Sequence, residues 1–566
     1  MKTKPVGILY RRKLLHIIMI SIPILTLLPI IILPPLLTQA DGPDEFERKR
    51  PLFHDYQDAA SLTVDTLADE NDGSCDDGDC SLRDAITLAQ AGDSIDFSVT
   101  GTITLTLGQL TIGTDLTING PGVRDLTLSG DDASRIFWIE ENVNVTISGL
   151  TISDGQAQDG GGIFNSGGTL NVNNCTLSGN RATYDGGGIS NRFDGVLNVS
   201  DSLFIDNNAV RDGGGIDNRE ALHVSNSIFS NNNSGRWGGG IYNYTGIVTV
   251  TGSTSSDNGT YYNDYGGGIC NHQGMCQVTQ SEFSANNARV SGGGIYNEDV
   301  LTVSNSDFFS NTTARGGGIH NNSRLDVVNS TFSNNRVTLN GGGIHNTSVM
   351  TVSNSTFYSN TAKWGGGVEN FYVLNVSSST FYSNTVTDTG GGICSHGALT
   401  VTNSTFYSNT AGTRGGGINN NEGTLYVTNC TFSDNRANDS GGGIRNEETA
   451  TLVNTIIADS IVGGNCSGNA LDAASTNGLS TDDTCSPGFT QITHTALALN
   501  WQGWVFELIA DSVAIDAGTN TGCPITDQLN QHRPQDGDGD GAAICDVGSF
   551  EFSTMKQVIC MPFVLR

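Results

Sequence analysis

Residues 341–370 read GGGIHNTSVMTVSNSTFYSNTAKWGGGVEN. The phrase opens on three glycines, passes through Met-Thr-Val and Thr-Phe, and opens on three glycines again. The first glycine of each GGG[IV] falls at 160, 186, 213, 238, 266, 292, 316, 341, 365, 390, 415 and 441, so successive copies lie 24 to 28 residues apart. A fixed period of this length marks a stacked-repeat architecture. Helical repeats are excluded, because each glycine costs a helix about 1 kcal/mol and runs of Asn, Ser and Thr form helices poorly. The leucine pattern of leucine-rich repeats is absent, which leaves a β-solenoid.

Within one copy the apolar positions alternate with polar ones, which is strand periodicity. Leu170/Val172, Leu301/Val303, Met350/Val352, Leu374/Val376 and Leu425/Val427 are among the aligned pairs, and seven residues after each first member comes Phe308, Phe357, Phe381 or Phe432, with Leu177 and Ser255 as exceptions in their copies. Three short strands per coil are predicted: Gly-Ile, Leu-x-Val and Thr-Phe. Stacking then places Ile over Ile, Val over Val and Phe over Phe inside the solenoid. Asparagine recurs after GGGI-x (Asn165, Asn191, through Asn346 and Asn446, with Ser395 the departure) and again at the end of FxxN (Asn207, Asn232, through Asn360 and Asn435). Both series are expected at corners, where Asn tolerates left-handed backbone and stacked amides bond from coil to coil. The triple glycine supplies geometry that a residue with a Cβ resists.

GGGI paired with FxxN resembles the GGA[ILV]/FxxN repeats of polymorphic outer membrane proteins, over roughly residues 150 to 460. That resemblance implies a right-handed, single-stranded parallel β-helix of the pectate-lyase kind, about 25 residues per coil, displayed on a cell surface. Those proteins end in a membrane barrel, whereas this chain ends MKQVICMPFVLR. CDDGDCSLRDAITLAQAGDSIDF, residues 75–97, resembles the CSLREA-type segment of secreted bacterial β-helix proteins, with Asp84 where that segment has Glu. Leu82, Ala85, Ile86 and Ala89 there form a short amphipathic helix fit to cover the first coil's open edge. AIDAGTNTGCPITDQLNQHRPQDGDGDGAAICDVGSFE, residues 514–551, resembles a closing segment of the choice-of-anchor type.

The 566 residues include 73 glycines and carry a formal charge of −31, which repels nucleic-acid phosphates and leaves nucleic acid out as a partner. Lys2, Lys4, Arg11, Arg12 and Lys13 precede an apolar run from Leu14 to Leu37, the pattern of an export signal. Cleavage after it and retention as an anchor both stay open, and membrane contact is expected only through this segment if uncleaved. The expected organisation is a signal or anchor over 1–40, a linker over 41–60, an N-terminal cap over 61–97, irregular coils over 98–159, regular coils over 160–456, a disulfide-rich segment over 457–551 and a tail over 552–566. A secreted or cell-surface monomer follows.

Twelve cysteines in an exported chain invite pairing. Cys75 with Cys80, Cys466 with Cys485, and Cys523 with Cys545 lie in loop-rich flanks, where a local staple offsets a missing core. Cys270 and Cys394 stand five coils apart in one column, about 24 Å at ~4.8 Å per coil, beyond disulfide reach. Cys276 occupies the Leu column and reads as a small buried hydrophobe.

β-Helix enzymes of the pectinase kind use clustered carboxylates on one outer face, and glycoside hydrolysis needs two of them about 5–10 Å apart. The variable residue after GGGI runs Phe164, Ser190, Asp217, Tyr242, Cys270, Tyr296, His320, His345, Glu369, Cys394, Asn419, Arg445. His320, His345 and Glu369 on successive coils are the candidate catalytic or metal-binding group. A polar column of this kind is expected to be a solvated face, and the repeats offer no multi-carboxylate cluster. Asp536-Gly-Asp538-Gly-Asp540-Gly541 starts like a calcium loop. Asp536, Asp538, Asp540 and Asp546 are therefore the candidate Ca²⁺ ligands, although Val547 stands where the bidentate Glu of an EF-hand would be. The expected function is non-enzymatic binding of an extracellular glycan or cell-surface protein; the alternative is a polysaccharide lyase or hydrolase.

Overall fold

The computed structural model describes residues 59–76, 78–262 and 264–553. The expected signal and most of the linker, together with Cys560 and the last thirteen residues, lie outside the described residues. Among those described, three parallel ladders run the length of a β-solenoid. A sixteen-stranded sheet carries the Leu-x-Val strands, a fifteen-stranded sheet the Ile-x-Asn strands, and a third carries the Thr-Phe strands. Register is kept from coil to coil: Leu374 lies over Met350, Phe357 over Phe332, and Ile344 over Ile319.

One coil shows why the sequence takes this course. Gly341 sits at φ 65°, the left-handed region, and the chain enters the strand Ile344–Asn346. Val349–Ser353 follows, with Met350 and Val352 buried, and then Thr356–Tyr358 with Phe357 buried. A fourth strand of two residues, Thr361–Ala362, closes the coil. This short ladder was not expected, because two residues give no period to read.

The left-handed corners also fall elsewhere than predicted. None of the ladder asparagines has positive φ; the strained positions are Asn329, Asn354, Asn403 and Asn429, between the second and third strands, and the residue before the FxxN asparagine, such as Ser359 at 55°. The predicted series is fully buried and, as expected, bonded from coil to coil along the axis. Asn321 donates to Asn346 at 2.8 Å and Asn346 to Asn370 at 2.8 Å, while Asn335 donates to Asn360 and Asn360 to Asn384, each at 3.0 Å. Asn180 and Asn258 extend the second series through the coils that lack its phenylalanine. Such amides are kept inside because every buried donor finds its acceptor one coil away.

The phenylalanine column runs from Phe283 to Phe432 with ring centroids 4.6 to 4.9 Å apart and planes within 6°. A spacing set by the strand repeat forces an offset stack, which is the favoured one. Room for each ring comes from the third glycine: a Cβ on Gly343 would lie 2.8 Å from Cδ1 of Phe357.

The ends are closed differently. Ser81 caps the helix Leu82–Leu88 by accepting from the amide of Asp84, whose own carboxylate takes the amide of Gly73 and the hydroxyl of Ser81. Leu82 and Ala85 join the interior of the first coils. At the other end the chain turns back along the Thr-Phe face. Thr380 donates to the carbonyl of Trp504, Thr405 to Gln528, and Asn454 to the carbonyl of Thr519, while Trp501 packs on Tyr407 at 4.4 Å. The disulfides Cys75–Cys80, Cys466–Cys485 and Cys523–Cys545 form as expected, and Cys175, Cys270, Cys276, Cys394 and Cys430 are buried free thiols.

Candidate functional site

On the Ile-x-Asn strand the isoleucine and asparagine point into the solenoid, so only the middle residue faces outward. Pairing stacks these residues into one column, His320 beneath His345, then Glu369, Cys394 and Asn419. Two further columns flank it. One is the residue before the triple glycine, which bridges Asp212 to Trp237, Trp237 to Tyr265 and Asn340 to Trp364. The other lies two residues beyond the column: Arg192, Arg219, Tyr244, His272, Glu298, Asn322, Phe371, His396 and Asn421 among them.

This flanking overturns the expectation of a solvated column. His320, His345 and Glu369 are only 6, 5 and 1% exposed, because neighbours lean over them. Phe371 meets His345 edge-on at 5.4 Å, and Tyr296 packs on His320 at 5.1 Å. Burial, with His345 alongside at 4.7 Å, holds His320 well below the ordinary imidazole range, hence neutral. Its Nε2 meets Oδ1 of Asn322 at 2.8 Å, and Asn322 donates to the hydroxyl of Tyr296.

Glu369 is drawn the other way along the strip. His345 Nδ1 lies 3.4 Å from one carboxylate oxygen and His396 Nε2 3.7 Å from the other. Burial alone would raise the pKa of Glu369, but the attraction of the two histidines beside it outweighs burial and leaves the carboxyl below its usual range. His396 is pushed up to about 10 by its contacts with Cys394, at 3.8 Å, and Glu369. The three residues predicted as one group are thus divided. His320 belongs to a neutral network with Tyr296 and Asn322, whereas donor atoms of Glu369, Cys394 and His396 lie within 4.8 Å of one another. Cys394 and His396 were legible as a Cys-x-His one period after Glu369, once the residue two beyond the column is read beside it.

A carboxylate cluster is also present, which corrects the expectation that the repeats hold none. Asp159, Asp185 and Asp212 precede three successive triple glycines, and Asp217 lies in the column beside them. Arg192 donates to Asp159 at 3.0 Å, Asp185 at 2.9 Å and Asp217 at 3.1 Å; Arg219 reaches Asp185 at 3.0 Å, and Arg236 reaches Asp212 at 2.8 Å. Burial raises Asp217 to about 6 against the pull of both arginines, and raises Asp212 as well. These three guanidinium groups, with those of Arg135 and Arg211, lie over rings: Arg135 over Trp138 and Phe164, Arg192 over Phe164, Arg219 over Tyr244, Arg236 over Trp237, and Arg211 over Tyr184, all between 5.0 and 5.9 Å. Sequence reading missed this cluster because three of its acids, Asp159, Asp185 and Asp212, lie outside the GGGI-x phrase and only Asp217 lies within it.

The C-terminal acidic turn brings Asp536 and Asp538 together with Asp516. Asp536 accepts from the amides of Gly539 and Gly541, and Asp516 from those of Gly537 and Asp538. Asp540 is exposed and caps Ala542. Asp546 is buried on the far side, where it accepts from the amides of Asp516 and Phe552; burial, and then Glu551 nearby, push it up to about 8. Neither joins the other acids, Asp546 because it belongs to the buried charges around Arg533.

Fold and strip together define a parallel β-solenoid with one chemically varied outer strip. Its repeats match the family profile of the Chlamydia polymorphic membrane protein repeat at residues 174–192, 226–244, 329–347 and 429–447. No curated protein matches the chain. Among solved structures, pectate lyase Pel9A is 12% identical and covers 87% of this chain and 96% of its own, with a TM-score of 0.20. A PL6 alginate lyase in complex with a trisaccharide is 12% identical, covers 80 and 91%, and has a TM-score of 0.29. The bacteriophage CBA120 tailspike protein 3 is 10% identical, covers 73 and 56%, and has a TM-score of 0.23. No helix among the described residues is long and apolar enough to cross a membrane.

Proposed function

We propose that this chain is an exported surface protein that holds a neutral glycan along the strip between Arg135 and His272. The observation that carries the reading is the run of guanidinium groups over aromatic rings, confined among the described residues to these coils. Rings offer flat apolar faces to the C–H faces of sugars, and the edges of guanidinium groups donate to hydroxyls. Because Arg192, Arg211, Arg219 and Arg236 already have aspartate partners, the strip gains little from an anionic ligand, and the molecule's charge of −31 opposes one. The N-terminal cations and apolar run, the three disulfides and the match to a membrane-protein repeat support export to a surface.

The test is a glycan array of neutral and acidic chains probed with the parent, Trp237→Ala and Arg219→Gln. Retention of neutral glycans by the parent and its loss in both variants is expected; equal retention by all three would sink the reading. One observation favours a second reading as a hydrolase: Arg192 gathers three carboxylates, Asp159, Asp185 and Asp217, on this one strip. New reducing ends, abolished by Asp217→Asn, would establish it.

For the acidic turn, calcium held by Asp516, Asp536 and Asp538 is our proposal. Saturating calcium should then slow proteolysis of residues 520–551 in the parent and not in Asp538→Asn.

A further inference from the structure

We propose that Glu369, Cys394 and His396 form a binding site for one borderline-soft divalent cation, of which zinc is the type. The three donors are an oxygen, a sulfur and an imidazole nitrogen from two adjacent coils, gathered within 4.8 Å. That mixture suits zinc and excludes magnesium or calcium, which take oxygen alone. Around a tetrahedral zinc, with ~2.3 Å to sulfur and ~2.0–2.1 Å to nitrogen and oxygen, the ligand atoms stand about 3.4 to 3.5 Å apart. Here Cys394 Sγ lies 3.8 Å from His396 Nε2, which lies 3.7 Å from Glu369 Oε1, each a few tenths of an ångström beyond the bound spacing, and the remaining edge, between Glu369 and Cys394, is within 4.8 Å. Once the cation displaces a proton each from Cys394 and His396 into solvent, a thiolate, a carboxylate and a neutral imidazole balance its 2+ charge, as a buried place requires.

A second observation points to the same ligand. Oε2 of Glu369 and Nδ1 of His345 are both buried and have no hydrogen-bond partner among the described residues, although they lie 3.4 Å apart. Burying two such atoms without a bond is costly. A cation that fixes the carboxylate through Oε1 would orient Oε2 toward His345, the outer-shell arrangement that accompanies metal ligands. The far side of His396 is prepared likewise. Its Nδ1 faces Asn421 at 3.3 Å, and with that amide flipped the Asn421 oxygen accepts from Nδ1–H and leaves Nε2 free for the metal, while Glu422 lies farther off at 4.0 Å. Phe371 stacks on the ring at 4.6 Å and fixes its plane. Asn419 and Thr389 contact Cys394 Sγ at 3.8 and 3.5 Å. His396 alone of the three ligands has appreciable exposure, so the fourth coordination position opens beside it, to water or to a ligand oxygen.

Variants that keep the fold can be taken from the repeat itself. Ser190 and Asn419 occupy the same column as Cys394 and Glu369, and Asn421 the same column as His396. Cys394→Ser, Glu369→Asn and His396→Asn therefore place side chains that the solenoid already accommodates. The full chain is freed of metal with a chelator and titrated with Co²⁺, then with Zn²⁺ against a chromophoric chelator. One equivalent per chain is expected, with the near-ultraviolet thiolate-to-cobalt band and visible bands of tetrahedral strength. Cys394→Ser should abolish the thiolate band, and each ligand variant should weaken binding by more than ~100-fold; His345→Asn, in the outer shell, should weaken it about 10- to 100-fold. His320→Asn, one coil farther away, should bind as the parent does. Absence of a stoichiometric site, or a cobalt spectrum without a thiolate band, would overturn the proposal. So would binding unchanged in Cys394→Ser and His396→Asn, which would assign the cation to the acidic turn or to adventitious groups.

Discussion

Ser255 interrupts the phenylalanine column, and replacing it with phenylalanine should stabilise the solenoid. Phe229 and Phe283 line a small void beside Ser255, together with Ile241 and Ile269. In the other coils the third glycine marks the place of the ring, with a hypothetical Cβ 2.6 to 3.1 Å from the phenylalanine Cδ1. Gly240 is the corresponding glycine here, and the atoms nearest its hypothetical Cβ are the carbonyl of Gly268 and the side-chain amide of Asn258 rather than a ring. Ser255 pairs with Phe229 on one side and Phe283 on the other, so it holds the ring's place in the column, beside a void of about 10 Å³ that the neighbouring side chains must widen. Burying a phenylalanine side chain contributes ~1.5–3 kcal/mol, and stacking on its neighbours ~0.5–1.5 kcal/mol more. Against this stands the hydrogen bond from Asn258 Nδ2 to Ser255 Oγ, 3.1 Å, worth about 1 kcal/mol. Its loss orphans nothing, because that amide also donates to the carbonyl of Phe229 and to Asn286. The net expectation is about 1–3 kcal/mol of added stability. Solenoid stability sums over neighbouring coils, so the effect belongs to residues 226–286. Hydrogen exchange by mass spectrometry should show those peptides slowed about 5- to 150-fold, with peptides from 399–435 unchanged. Faster exchange in 226–286 would refute the account of the column as a continuous stack with one vacancy.

Phe357→Ala should cost ~3–5 kcal/mol through its cavity, while Thr351→Ala on the outer face of the same coil should cost under ~1 kcal/mol; urea midpoints of the two variants check the register. Gly343→Ala should cost ~1–3 kcal/mol, because the new Cβ meets both Phe357 and the carbonyl of Gly367, again read from urea midpoints. For Asp217 the sign is unusual. Its folded pKa, about 6, lies above the unfolded value near 3.8, so the folded state keeps a proton that the unfolded state has lost. Stability falls as pH rises from about 4 to about 6, by on the order of 3 kcal/mol relative to Asp217→Asn, and is flat above. Parent stability rising with pH relative to the variant would show instead that Arg192 and Arg219 hold the carboxylate ionised throughout.

The interior was legible because stacking demands identity: Ile, Leu-x-Val and Phe recur at fixed offsets, and each offset became a ladder. Asn354 and Asn360 show where legibility ended. Both are asparagines at coil corners, and nothing in their spacing tells which takes left-handed backbone and which bonds along the axis; Asn354 does the first and Asn360 the second. Thr361–Ala362 escaped because a strand of two residues has no period. The return of the C-terminal segment along the Thr-Phe face rests on pairs such as Thr405 with Gln528, over a hundred residues apart, for which the chain carries no local signal. The outer strip was half read. His320, His345 and Glu369 were found in their column, but a column has walls, and Trp237, Asp185 and His396 stand in the walls.

The position of that strip follows from what the ladders forbid. On each Ile-x-Asn strand the isoleucine is held by the core and the asparagine by its axial bond, so neither can vary without breaking contacts in two neighbouring coils. The outward middle residue is bound by no such rule, and in this chain it runs from Phe164 through Asp217 and His345 to Cys394 while its neighbours repeat. Variation in chemistry is thereby separated from variation in fold. Exchanging two residues native to this column, as in His345→Asn, should leave unfolding within about 0.5–1 kcal/mol of the parent while altering whatever binds there. The reverse exchange next door, Asn346→His, should be severe, since Asn321 loses its acceptor and the carbonyl of Ser348 its donor. Comparable losses of stability from the two adjacent substitutions would mean that the strip is itself a ladder of the fold, and that its varied side chains carry no separate function.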